Sequence, residues 1–372
     1  MDQTFSRDDT KLMKGAAIIL MLMHHLWGFP ERIAGGELWH VLSICGESSL
    51  TYFGSFGKIC VSFFFFLGGY GVYLSTHSKR YDLIAKLKGL YLSYWKVFVI
   101  FIPLAFFFCA HQPTYCEEAE ICTRYAEFSR QECFNNFIGF STSYNREWWF
   151  LNSYIFALIL YPVIDRIVRR HSTLFNIWAV IIGTILITNV FPAIGELEVL
   201  GTLNDNYLYH AFFLLSAPYT ACFWMGAVFA KGNLLIQLQD ALRRNNLLHP
   251  VLDVFFIGVI IQLRSRLTEQ TPDVIYVPFL ILFLLDLLRY IRPLRWLLLR
   301  IGKESTSMWL IHPFFCYYFY PVVKIVVVPR WGVLCLLVLL ALSYIAARLV
   351  RLFWQGIGSM MQRIQKTFLK LS

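Results

Sequence analysis

The sequence predicts an all-α, polytopic integral membrane protein with about ten transmembrane helices and both termini in the cytoplasm. Three observations lead there. The 372 residues are 58% hydrophobic and only 15% charged, where a soluble domain carries about 25% charged residues. Apolar runs recur along the whole chain at lengths near the roughly 20 residues that cross a bilayer. Finally, Lys and Arg crowd into alternate loops between those runs. A mean hydropathy of +0.56 and the 34 Phe, 20 Tyr and 11 Trp suit helices that face lipid and carry aromatic belts. The net charge of +10 does not indicate nucleic acid, because the cations sit in short loops where topology explains them.

The predicted spans are 12–30, 58–76, 90–110, 148–165, 174–194, 208–230, 248–264, 274–290, 305–327 and 332–354. The first is not followed by a small-residue cleavage site and reads as a retained helix. Loop two carries Lys79, Arg80, Lys86 and Lys88; loop four Arg166, Arg169 and Arg170; loop six Lys231, Arg243 and Arg244. Loop eight holds Arg289, Arg292, Arg295, Arg300 and Lys303, and the tail adds Arg363, Lys366 and Lys370. Loop five has no Lys or Arg and loop nine only Arg330. The positive-inside rule therefore puts the even loops and both termini in the cytoplasm. The sequence reads as one transmembrane domain, 1–354, followed by a short basic tail, 355–372, expected to lie on the membrane surface. No internal repeat of the kind that builds many transporters is visible.

Loop three, 111–147, is the longest outward loop and contains Glu117, Glu118, Glu120, Glu127 and Glu132. Such a loop either folds over a site or is a solvated connector. Cys116, Cys122 and Cys133 share it, with Cys45 and Cys109 near the same face. One or two disulfides fit an oxidising compartment, with the pairing undetermined by sequence. The spacing matches no zinc pattern, and no metal site is expected.

The first span, "KGAAIILMLMHHLWGF", places Lys14 at its cytoplasmic end and His24 and His25 near its outer end. Ionisable residues in such a segment are costly and point to function. Lys14 and His25 are eleven residues apart, so on a helix they lie about 16 Å apart and within about 20° of one face. That stripe offers an anion-binding cation at one end and a titratable base at the other. A coenzyme A thioester, with phosphates in the cytoplasm and a reactive end across the bilayer, has the matching shape. Against this, Lys14 reads equally as a snorkelling topology signal, and either histidine as a packing residue.

Four stretches in order resemble membrane-bound acyltransferase family 3, whose members O-acylate surface polysaccharides and related acceptors. The family's first helix carries a basic residue, ten intervening residues and a histidine, as Lys14 and His25 do. "FFFFLGGYG", Phe63–Gly71, is similar to its Phe-Phe-x-x-Ser-Gly-Phe signature, with Gly68 in place of serine and Tyr70 in place of the last phenylalanine. "WWFLNSYIFALILYP", Trp148–Pro162, resembles its Trp-Phe-Leu…Pro stretch. "GKESTSMWLIHP", Gly302–Pro313, resembles its Gly-x-x-Ser…Tyr-Leu-x-His pattern, with Trp309 where tyrosine is common. "KLKGLYLSYW", Lys86–Trp95, is a poorer match to the family's Arg-rich segment, Gly89 standing where a second arginine is expected.

The resemblance implies an acyl-CoA donor, acetyl-CoA or another, reached from the cytoplasm, and a hydroxyl acceptor on the outer side. His25 would be the general base, a role suited to a side chain whose unperturbed pKa is near 6.5. Lys14, Lys86, Lys88, Ser305 and His312 are the expected donor-binding residues, and Trp148, Trp149 and Asn152 the expected acceptor-binding ones, with Glu147 nearby. The expected partners are membrane lipid and a carbohydrate or lipid-linked sugar. Nucleic acid is not expected, and a homo-oligomer is left open. A bacterial cytoplasmic membrane is the expected location. The alternative is a non-enzymatic exporter or channel for polysaccharide or small molecules, which has no need for a cation stacked under a histidine.

Overall fold

The computed structural model describes residues 5–33, 38, 43–44, 47–77, 79–116, 120–197, 209, 215–266 and 272–371. Among them the regular structure is helical apart from two short antiparallel ladders, β1 (Ser43–Ile44) with β2 (Glu47–Ser48) and β3 (Thr114–Cys116) with β4 (Glu120–Cys122). Helices satisfy their own backbone, which is what a lipid-facing segment must do. Among the described residues five helices are long and apolar enough to cross a membrane, or up to seven if each of two bent pairs is one span. The chain divides into two units, Met1–Gly28, Leu42–Leu87 and Arg146–Lys303 forming the first, and Phe29–Val41, Lys88–Asn145 and Glu304–Ser372 the second.

The first unit contains α1 (Arg7–Trp27), α2 (Ser49–Gly57), α3 (Ile59–Thr76), α6 (Trp149–Arg170) and α7 (Thr173–Gly195). It continues with α8 (Ala217–Gly232), α9 (Leu234–Arg244), α10 (Pro250–Ser265), α11 (Asp273–Tyr290) and α12 (Arg292–Lys303). The expected span 208–230 begins outside the described residues and is seen from α8. α1, α10 and α11 fill the expected runs 12–30, 248–264 and 274–290, but none meets the length and composition of a spanning helix taken alone. Small residues set the closest crossing. A Cβ on Gly69 of α3 would overlap the Phe223 carbonyl of α8, and one on Gly226 of α8 would overlap the Phe66 carbonyl of α3. Reciprocal glycines of this kind let backbones touch where lipid supplies no hydrophobic force between helices. α8 and α9 meet at 70°, because Asn233 takes the left-handed conformation, φ 48°, that ends a helix after Gly232.

The second unit contains residues 88–109 of α4 (Leu83–Cys109), then α5 (Arg130–Phe137), α13 (Ser305–Pro313), α14 (Tyr320–Val327) and α15 (Gly332–Leu371). The described residues of loop three up to Asn145 belong to this unit. The three carbonyls at the end of α5 accept from α4: Asn136 from Tyr94 Oη (2.6 Å), Phe137 from Trp95 Nε1 (2.9 Å) and Ile138 from Tyr91 Oη (2.8 Å). A helix end stripped of water needs such partners. Trp95 lies fourteen residues before Cys109, so the loop folds back about 21 Å along α4. Cys109 and Cys133 are free thiols, and the side chains of Cys45, Cys116 and Cys122 lie outside the described residues.

The run expected as one helix, 305–327, is broken. α13 passes into a π-helical turn, Phe314–Tyr318, and α14 leaves at 87°, just before Pro321, whose ring cannot donate to a preceding turn. The expected last span, 332–354, instead continues without interruption to Leu371.

Candidate active site

The first helix starts at Arg7, ahead of the expected span 12–30, because a cap fixes its start there. Ser6 and Asp9 form a reciprocal cap, Asp9 N–H to Ser6 Oγ and Ser6 N–H to Asp9 Oδ2, both 3.0 Å. Asp8 and Asp9 occupy the first turn and His24 and His25 the last, the arrangement the helix dipole favours. Because α1 is uninterrupted from Arg7 to Trp27, Lys14 and His25 do share one stripe, about 16 Å apart.

Around the histidines, α2 lies directly on α1. A Cβ on Gly54 would overlap the Gly28 nitrogen, and one on Gly57 would stand 2.9 Å from the His24 nitrogen, so two glycines make this contact. His24 Nδ1 donates to the Gly54 carbonyl at 2.9 Å. His24 thus ties α2 to α1. The His24 and His25 rings stand 5.2 Å apart at 63°, and His25 is partly exposed.

At the other end, α12 crosses α1 as closely. A Cβ on Gly15 would overlap the Leu298 carbonyl, and one on Gly302 the Lys11 carbonyl. Lys14, beside this crossing, is half-buried and forms no hydrogen bond or ion pair among the described residues. The same end of α1 borders a cavity of about 280 Å³ lined by Phe5, Asp9, Gln239, Arg289 and Arg295 among others. Arg295 Nη2 is 3.9 Å from Asp9 Oδ1 and Arg289 Nη1 is 3.6 Å from Asp286 Oδ1, so each of these two cations on the wall lies beside a carboxylate. Sequence reasoning assigned Arg289 and Arg295 only to topology. Their density in loop eight was the available signal, but which of its five cations meet α1 depends on how α12 folds back.

The glycine that replaces the signature serine has a steric reason. A Cβ at Gly68 would lie 2.7 Å from Tyr154 Oη and 2.8 Å from the Tyr154 ring, so the tyrosine of α6 fills the space a serine would use. Just before that helix Glu147 and Trp148 are buried, while Trp149 and Asn152 on it are partly exposed. Trp149 stands 5.5 Å from the Tyr219 ring. Lys86 donates to Ser75 Oγ at 2.9 Å.

In the second unit Ser305 opens α13 and is buried, next to Glu304, whose carboxylate pairs with Arg351 at 2.6 Å and Arg348 at 3.8 Å. His312 is fully buried, and its Nδ1 faces the Trp309 carbonyl at 2.7 Å within its own helix. Lys88 is exposed. The first unit therefore brings together Lys14, His24 and His25 on one helix and Trp149 and Asn152 on another, whereas Ser305, His312 and Lys88 belong to the second.

The family model described as an acyltransferase domain, that of acyltransferase family 3, matches residues 8–348. The chain belongs to acyltransferase family 3. Neither a curated protein nor a solved structure matches it. An acyltransferase 3 chain with these apolar helices is an integral membrane acyltransferase. Among the described residues no group of three or more His, Cys, Asp or Glu could hold a metal ion. What the arrangement offers an acyltransferase 3 chain is a base, a cation a fixed distance away, and an aromatic face.

Proposed function

We propose that this acyltransferase moves an acyl group, acetyl in the simplest case, from cytoplasmic acyl-CoA to a hydroxyl of an envelope glycan or lipid-linked sugar, in a bacterial inner membrane. The observation that carries the reading is the unbroken α1, with Lys14, unpartnered among the described residues, at one end and His25 on the same stripe at the other. A half-buried ammonium with no protein partner suits a ligand anion. With Arg289 and Arg295 on the neighbouring cavity wall, it offers the donor's phosphates several cations.

In this reading His25 accepts the proton of the acceptor hydroxyl as that oxygen attacks the thioester carbonyl. The tetrahedral intermediate then expels the coenzyme A thiolate, which takes the proton back from the imidazolium. A base of this kind contributes about 10²- to 10⁴-fold. Trp149, not the enclosed Trp148, offers the face for an acceptor sugar, with Asn152 one turn on. Ser305 and His312 remain candidates for the donor path, and Lys86 and Lys88 for its cytoplasmic mouth.

The test is to incubate purified full-length protein with radiolabelled acetyl-CoA and envelope fractions. Label should enter the glycan fraction with wild type and not with His25→Ala. Label transferred equally by both would remove His25 as base. Absence of acyl-CoA binding by the wild type would favour an exporter or a different donor.

A further inference from the structure

A second set of charges lies in the first unit close to the histidine pair. Asp273, the first residue of α11, is fully buried. Its Oδ1 accepts from Arg264 Nε at 2.5 Å and its Oδ2 from Ser62 Oγ at 2.6 Å. Arg264 is itself 1% exposed. The carboxylate is therefore engaged at both oxygens, and its charge is matched by one guanidinium, as a buried ion must be.

Lys58 adds a charge this pair does not match. Its φ of −55° and ψ of −25° carry the helical path from α2 into α3. Lys58 and Ser62, four residues apart, therefore project within about 40° of each other. The ammonium is within electrostatic reach of both Arg264 and Asp273. It is half-buried and forms no hydrogen bond or ion pair among the described residues. Among the described residues two cations stand near this one carboxylate, and the Lys58 ammonium has no partner among them to offset its desolvation. The cluster borders both halves of the candidate site: Gly57, next to Lys58, packs on His24, and Tyr219, which feels the charge of Asp273, packs on Trp149.

We propose that Lys58, backed by Arg264, binds a phosphate group of the acceptor on the His25 side of the membrane, with Asp273 and Ser62 as positioning residues that hold the guanidinium. A half-buried lysine with an arginine's charge behind it suits a multiply charged oxyanion. Such an acceptor would carry its phosphate close to the acylated hydroxyl, as a sugar joined to a lipid through phosphate does. The inference rests on the proposed placing of the acceptor at His25.

The test measures binding by full-length protein in detergent, without any donor. The probes are a monosaccharide linked through phosphate to a short prenyl chain, the methyl glycoside of the same monosaccharide, and inorganic phosphate. Wild type should prefer the phosphate-linked probe by about ten- to a hundredfold, as a charge-assisted contact gives. Inorganic phosphate should compete. Lys58→Met should erase that preference and Lys58→Arg should keep it. Since Lys58 has no partner among the described residues, thermal unfolding of Lys58→Met should match wild type, and Lys58→Gln serves where Met does not fold. No preference in wild type, or an unchanged preference in Lys58→Met, overturns the proposal. So does equal displacement of the probe by phosphatidylglycerol nanodiscs, which would make the site one for bulk lipid headgroups. A Lys58-dependent preference without acyl transfer from acyl-CoA would sink the donor reading alone. Transfer that persists while Lys58→Met keeps the preference would sink this one alone.

Discussion

Replacing Lys14 tests the inner half of the proposed donor site, and the structure sets the size of the effect. Lys14 is half-buried and unpartnered among the described residues, so its removal leaves no acceptor or carboxylate orphaned. Folding should therefore not suffer, and Lys14→Met, which keeps the aliphatic stem, should unfold at the wild-type temperature or above it. Binding is different. Two unit charges about 4 Å apart attract by about 4 kcal/mol at an effective dielectric of 20, and desolvation reduces the net to about 1.5–3 kcal/mol. Apparent donor affinity should fall about ten- to a hundredfold, with little change for the acceptor, while Lys14→Arg keeps most of it. The assay is a titration of acetyl-CoA against wild type and both variants, normalised to folded protein. Rising salt should move wild type toward Lys14→Met if the contact is open to ions, since screening acts over about 10 Å at 0.1 M. Equal donor affinities in wild type and Lys14→Met would refute the reasoning and leave Lys14 a topology signal.

His25→Ala should lower transfer by about 10²- to 10⁴-fold in single-turnover assays while leaving the protein inserted; His24→Ala should act mainly on stability, by releasing α2 from the Gly54 carbonyl. Arg264→Met leaves Asp273 buried and unmatched and should destabilise by about 3–5 kcal/mol in denaturant titrations, whereas Arg264→Met with Asp273→Asn should recover much of that; additive losses would contradict the pairing. In loop three, burial and neighbouring Glu132 hold the Cys133 thiol above its ordinary pKa. Its thiolate is then scarcer at neutral pH and grows as pH rises, so an impermeant maleimide should label Cys133 more slowly than a free thiol and catch up with increasing pH. Labelling in intact cells also tests orientation, because reaction only after permeabilisation would invert the topology.

Much of the architecture was legible because a lipid-facing backbone has few options. Apolar runs became helices close to their expected ends, Ile59–Thr76 for 58–76 and Thr173–Gly195 for 174–194. The Lys14–His25 stripe depends only on residues within one helix, so spacing sufficed to find it. The fold-back of loop three and the α13–α14 break were not legible. The first depends on Tyr91, Tyr94 and Trp95 meeting carbonyls more than forty residues away.

By itself, then, the sequence determined that this is a helical membrane acyltransferase with a cation and a histidine in register on its first helix, since hydropathy and helical period are local quantities. Tertiary structure decided what each polar group meets. It tied His24 to Gly54, left Lys14 and Lys58 without partners among the described residues, enclosed Trp148 while leaving Trp149 partly open, and joined Ser62 to Asp273, the carboxylate that Arg264 also holds, across some two hundred residues. Those pairings follow from how closely glycine-lined helices can approach, which no single segment encodes.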